Sequence, residues 1–257
     1  MRHWTSTRWG PDRASQILIL PIVSALSLRW HLFALDFRGH GKSGRTPGQY
    51  RIKDHTADVI AFLEDRFAEP VVLLGHSMGG HIAAEVAVRI PTKVSAVVVG
   101  DIPLHLETGL ALQTEAFTRF HATLRDLIRS QRSTAVLVPA LATLRPDLDT
   151  IGLRAWAKDL SLLDPDVLEY HAEGRLRELL EGMIGEAEPP QISCPVLMLQ
   201  GDPSAGGITS DRYIEYALSV IPNACHVQIE GAGHDLGLST WQVAPLLRVV
   251  TGFLESL

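Results

Sequence analysis

Val71-Val72-Leu73-Leu74-Gly75-His76-Ser77-Met78-Gly79-Gly80 joins an apolar run to a glycine-rich turn, and a segment rich in small residues, Ala83, Ala84 and Ala87, follows. A short β-branched and aliphatic run of this kind predicts a strand buried on both faces, and such strands belong to parallel sheets. Gly75 to Gly79 fits G-x-S-x-G. A serine placed where a strand turns sharply into a helix must take up a strained backbone, which small neighbours at Gly75 and Gly79 permit, and its hydroxyl is then exposed above the sheet edge. The turn also aims the positive end of the helix at any negative charge that develops beside the serine. The strand before and the helix after separate this pattern from a glycine-rich turn with an incidental serine.

Outward from this turn, the runs Ile17 to Leu20, Val94 to Val99 and Val196 to Leu199 predict further buried strands, with Leu32 to Leu35 and His226 to Glu230 as weaker candidates. Helical patterns lie between them. Ile52, Val59, Ile60, Leu63 and Phe67 recur at helical spacing, and Ile82 to Ile90 stops at Pro91. Strand and helix in alternation predict an α/β fold built on a mostly parallel, doubly wound sheet. From Pro103 to Pro190 the rhythm changes: Glu115 to Ser130 and Leu153 to Leu163 read as helices, and hardly any strand is present. The expected organisation is a core of residues 1–102 and 191–257 interrupted by a helical insertion over 103–190, closed by an amphipathic helix through Trp241, Leu246, Leu247, Val250 and Phe253.

The bulk properties narrow the functional classes. The 257 residues are 46% hydrophobic and 20% charged, a composition that suits one α/β domain with an insert. With a net charge of −6, a pI near 6.0 and no concentration of Lys and Arg, nucleic acid is not an expected partner. Cys194 and Cys225 match no metal-ligand spacing, so two buried thiols in a reducing, cytoplasmic setting are expected. Met1 to Gly10 has no apolar h-region, and no run reaches the roughly 18 apolar residues of a membrane span, so neither secretion nor a membrane is expected.

A serine hydroxyl needs a base to become a nucleophile. His234, in Gly231-Ala232-Gly233-His234 after the last expected strand, is the histidine that flexible glycines can present over the carboxyl edge of the sheet. His76, next to the serine, reads as structural because neighbouring side chains in a tight turn diverge. A carboxylate should orient the imidazole. Asp202 and Asp101 both end strands and both lie between serine and histidine in chain order. Asp202 is preferred, since only it precedes a proline and glycine loop, Pro203 to Gly207, and Asp101 is the competitor.

Asp36-Phe37-Arg38-Gly39-His40-Gly41-Lys42-Ser43, the Gly75 to Gly80 turn, Leu199-Gln200-Gly201-Asp202-Pro203 and Gly231 to His234 together resemble successive motifs of the α/β-hydrolase family. The resemblance implies a Ser-His-Asp triad, here Ser77 and His234 with the preferred Asp202 or its competitor Asp101, no metal or organic cofactor, and a helical cap over about Pro103 to Pro190 that shapes a pocket for a small-molecule substrate. Of the oxyanion hole it implies the backbone N–H of Met78. The chain departs from the family where a His-Gly pair usually follows the strand matched here to Ile17–Leu20. Leu20 runs into Pro21, which has no N–H to donate, so Ile22 or Val23 would have to supply the second oxyanion contact. The residues Pro21 to Trp30 are also fewer than the dozen or so of a parallel crossover, and on this reading the family's first strand is missing.

The function expected from these features is hydrolysis of an ester, lactone or thioester through an acyl-enzyme. Cleavage of a carbon–carbon bond by the same triad is the enzymatic alternative. A non-catalytic protein that keeps the pocket to bind a small molecule is the alternative from another class.

Overall fold

A computed structural model describes residues 3–7, 22–183, 191–238 and 242–257. The described residues contain six strands, β1 (His3–Thr7), β2 (His31–Leu35), β3 (Val71–His76), β4 (Val94–Gly100), β5 (Val196–Gly201) and β6 (Ala224–Ile229). They form one sheet in the order β2-β1-β3-β4-β5-β6, with every pair parallel. After a helical turn at residues 22–26, the helices whose bounds lie within the described residues are α1 (Ile52–Arg66), α2 (Met78–Arg89), α3 (Leu106–Leu110), α4 (Glu115–Ser130), α5 (Thr134–Leu144), α6 (Thr150–Leu162), α7 (Glu169–Ala172), α8 (Leu176–Leu179), α9 (Asp211–Val220) and α10 (Ala244–Ser256).

Side chains of a strand alternate between faces, and the central strands show that period directly. Val71, Leu73, Val97, Val99, Val196 and Met198 join one hydrophobic cluster with residues of α1 and α2. Val72, Leu74, Ala96, Val98, Leu197 and Leu199 join a second cluster with Leu246, Val250 and Leu254 of α10 and with Ile22 and Leu26. Apolar residues on both faces are the reason these strands read as unbroken hydrophobic runs. Between β4 and β5 every described element is helical. The buried residues of those helices, among them Leu124, Ile128, Leu137 and Trp156, continue the first cluster beyond the sheet.

The start of the chain differs from the expectation. The strand preceding β2 is His3–Thr7, seated between β2 and β3, whereas Ile17 to Leu20 and Pro21 lie outside the described residues. The crossover from β1 to β2 therefore spans residues 8–30, well above the dozen or so that a parallel connection needs. His-Trp-Thr-Ser-Thr carries Trp and two β-branched threonines, which suit a strand, but its polarity concealed it. The closing helix begins at Ala244, and Trp241 also lies outside the described residues. Cys225 is exposed rather than buried, because β6 is the edge strand, and both cysteines are unpaired thiols. No described helix is long and apolar enough to cross a membrane.

His55, fully buried on α1 beside Phe37 and Tyr50, has its pKa held well below 6.5, first by burial and then by the positive charges of His40 and Arg38. Below about pH 6.5 the unfolded chain takes up a proton there that the folded chain refuses, so the unfolded state gains protons and stability falls as pH drops. Urea midpoints should decrease from pH 7.5 to pH 5.0, and His55→Leu should show a smaller decrease. An equal decrease in the variant would remove His55 from this acid sensitivity.

Candidate active site

Ser77 stands between β3 and α2 at φ 51 and ψ −126, a positive-φ conformation that a non-glycine residue adopts only under constraint. The constraint is visible on both sides. The Ser77 N–H donates to the Gly100 carbonyl at the end of β4 (2.9 Å), and the Ser77 carbonyl accepts from Gly80 (2.8 Å) and His81 (3.3 Å). A Cβ at Gly75 would lie 2.0 Å from the Gly79 carbonyl oxygen, an approach that backbone atoms cannot relieve, so glycine is required there. Met78 begins α2, where a backbone N–H has no intrahelical partner.

His234 is carried past the end of β6 and meets Ser77 over the sheet edge. Its Nε2 accepts from the Ser77 hydroxyl at 3.1 Å, while its Nδ1 donates to Asp101 Oδ2 at 2.9 Å. One tautomer, with the proton on Nδ1, satisfies both contacts. His76 is buried with its ring 4.5 Å from that of His234, and its Nε2 donates to the His234 carbonyl. The side chain beside the serine thus holds the backbone of the histidine.

The carboxylate at His234 is Asp101, and the preference for Asp202 is corrected. Asp101 follows β4 with φ 40, and its carboxylate is fully enclosed. Besides His234 it accepts from Gly201 N–H (3.0 Å), Ile208 N–H (2.9 Å) and Thr209 N–H (3.2 Å). Burial alone would raise its pKa. The hydrogen bond and charge of His234, with the N–H groups of Ile208 and Gly201, outweigh burial and hold the carboxyl below its ordinary range. Asp202 instead accepts from the hydroxyl (2.6 Å) and N–H (2.8 Å) of Ser204 and from Gly231 N–H (3.0 Å). It caps the short turn Pro203–Ala205 and stays partly exposed, with its pKa lowered first by Ser204 and then by Gly231. The loop that favoured Asp202 serves its rival: past Gly207 it turns its N–H groups onto Asp101.

Ser77, Met78 and His234 line a cavity of about 380 Å³. Most of its wall is apolar, supplied by Ile52, Ile102 and Ile208 from the α/β core and by leucines and phenylalanines of α4 and α8. His81, one helical turn beyond Ser77, also lines it, and burial lowers its pKa to about 4, so its ring is neutral at ordinary pH. Neither Ile22 nor Val23 reaches this cavity among its described lining residues, and Ile22 packs on the opposite face of the sheet. In the Asp36 to Ser43 motif, Arg38 makes a two-pronged ion pair with Asp58 (2.6 Å at both contacts), and the Gly39 carbonyl accepts from Asp164 N–H (2.7 Å). That motif braces the region around α1 rather than lining the cavity.

A parallel sheet with a serine at a strand-to-helix turn and a histidine after the last strand defines a class of hydrolase architecture. The sequence pattern of the alpha/beta hydrolase family matches residues 3–246, and the chain belongs to that family. A 2-(acetamidomethylene)succinate hydrolase of Mesorhizobium japonicum is 23% identical over 241 residues, covering 92% of this chain and 82% of the relative. A crystal structure of E-2-(acetamidomethylene)succinate hydrolase superposes with a TM-score of 0.73 at 19% identity, over 99% of this chain and 91% of that one. A 3-oxoadipate enol-lactonase of Acinetobacter baylyi is 28% identical over 177 residues, covering 67% of this chain and 61% of the relative. A crystal structure of a point mutant of an epoxide hydrolase from Bacillus megaterium superposes with a TM-score of 0.76 at 17% identity, over 99% of this chain and 94% of that one.

The Nδ1 proton of His234, held against an ionised and enclosed carboxylate, should give a strongly deshielded ¹H NMR signal. Asp101→Asn should abolish that signal and Asp202→Asn should preserve it. Loss of the signal in Asp202→Asn alone would return Asp202 to the imidazole.

Proposed function

We propose that this chain is a serine hydrolase that cleaves an ester, lactone or thioester of a small molecule. The observation that supports this most directly is the continuous chain of contacts from Ser77 Oγ to His234 Nε2 (3.1 Å) and from His234 Nδ1 to Asp101 (2.9 Å). Ser77 attacks the carbonyl carbon as its proton passes to His234 Nε2, and the oxyanion faces the Met78 N–H at the start of α2. His234 then gives the proton to the leaving group. Water, deprotonated by the same imidazole, hydrolyses the acyl-enzyme. Asp101 keeps the proton on Nδ1 and stabilises the imidazolium between these transfers. The described helices between β4 and β5 act as the cap, since they supply much of the cavity wall over Ser77.

The serine itself limits the chemistry. Epoxide opening in this fold uses a carboxylate nucleophile, and here the turn carries a hydroxyl, which favours acyl transfer. Relatives named as a succinate-type hydrolase and an enol-lactonase support a bond of the acyl kind.

A fluorophosphonate probe should label the wild-type protein and not Ser77→Ala. Hydrolysis of 4-nitrophenyl acetate should fall at least about 10³-fold in Ser77→Ala and up to about 10⁴-fold in kcat in Asp101→Asn, where only the tautomer is lost. Asp202→Asn should retain most of the activity. An unlabelled wild-type protein would move the reading to a non-catalytic small-molecule binder, and undiminished hydrolysis by Ser77→Ala would reject the nucleophile.

A further inference from the structure

We infer, resting on the hydrolase reading of Ser77, that the substrate carries a free carboxylate and that Arg145 holds it inside the same cavity. Arg145 lies just past α5, and among the cavity's described lining residues it is the only fixed charge and no carboxylate is present. A guanidinium in so apolar a wall is costly unless its charge is compensated, and the single local pair it has leaves room for a ligand of opposite charge. The present partner of Arg145 is Asp147, two residues along the chain, which takes the Nε and Nη2 edge through Oδ1 (2.7 Å) and Oδ2. Asp147 is 60% exposed against 17% for Arg145, so this local pair faces water, where such pairs contribute little. Nη1 makes no hydrogen bond among the described residues, leaving that edge for a second carboxylate.

A second feature of the wall has the same sign. Thr114, which lines the cavity, is the N-cap of the 16-residue helix α4 and accepts from Phe117 N–H at 3.1 Å. Its hydroxyl keeps a proton to donate, at the helix end that attracts anions. His121 and His171 stack in the same wall with centroids 4.7 Å apart, and His121 Nδ1 donates to the Phe117 carbonyl at 2.8 Å. With that orientation set, protonation of His121 adds positive charge to the cavity and never negative charge. Every ionisable group among the described lining residues therefore favours an acid or is neutral toward it. A half-ester of a short dicarboxylic acid meets these demands, with its acyl carbon at Ser77 and its free carboxylate at Arg145.

The test uses the full chain with Ser77→Ala and two uncleaved probes, monomethyl glutarate and dimethyl glutarate, titrated calorimetrically. The half-ester should bind roughly tenfold or more tightly than the diester, as a charge-assisted hydrogen bond allows. Arg145→Gln should erase the difference, and Arg145→Lys should keep part of it. Asp147→Asn, which releases the guanidinium, should tighten the half-ester selectively; this variant keeps the proposal testable if Arg145→Gln does not fold. In the Ser77 protein, the ratio of kcat/KM for 4-nitrophenyl hemiglutarate to that for 4-nitrophenyl pentanoate should collapse in Arg145→Gln, chiefly through KM. Equal binding of the two probes, no binding of the half-ester, or an equal fall of both rates in Arg145→Gln would overturn the carboxylate site. Half-ester selectivity in a protein that fluorophosphonate does not label would retain the site and reject the hydrolase reading. Labelling and ester hydrolysis without selectivity would do the opposite.

Discussion

The enclosed carboxylate of Asp101 joins parts of the chain that have no other reason to meet. Its four donors come from the end of β5, the loop after β5 and the loop after β6. An ionised group removed from water is costly unless nearly every lone pair is occupied, and here backbone N–H groups and one imidazole occupy them. Removing one donor would leave a buried anion underpaired, so the loops that supply the donors are tied to one arrangement. His234 is one of these donors, and its place over Ser77 follows from its bond to Asp101.

A parallel sheet makes this convergence possible. All six strands point the same way, so the turns after β3, β4, β5 and β6 collect at a single edge. Ser77 N–H donates to Gly100 O, Asp101 N–H to Leu199 O and Asp202 N–H to Ala232 O, which carries the strand ladder one residue into each turn. The serine and the carboxylate are thus anchored through the backbone of the neighbouring strand. Ser77 and Asp101 are also two of the few non-glycine residues with positive φ among those described, and the ladder holds both in place.

How much of this was legible in the sequence depended on whether the determining interaction was local. The Ser77 turn was legible because strand, glycines and helix adjoin one another. His234 was legible because a glycine-flanked histidine after a final strand has one plausible destination. The carboxylate was not, since the proline and glycine loop beside Asp202 in sequence donates to Asp101 in space, and only strand order shows that the end of β4 lies between the ends of β3 and β5. The strand at His3–Thr7 escaped for a related reason. Its position between β2 and β3 comes from pairing with distant segments, and the apolar Ile17 to Leu20 drew the assignment away.

The cavity shows how one wall can serve two opposed demands. An apolar lining excludes water and strengthens any charge interaction within it, yet the same lining penalises a charge left alone. His81 meets the penalty by staying neutral, its pKa lowered to about 4 by burial. Arg145 meets the penalty by pairing with the exposed Asp147. That pair engages the Nε and Nη2 edge, and Nη1 makes no hydrogen bond among the described residues. Ser77 and Asp101 are fixed by the sheet, whereas Arg145 comes from the helical stretch between β4 and β5, outside the strand ladder. Substitutions in that stretch can therefore reshape the cavity wall while Ser77 and Asp101 stay where the sheet holds them.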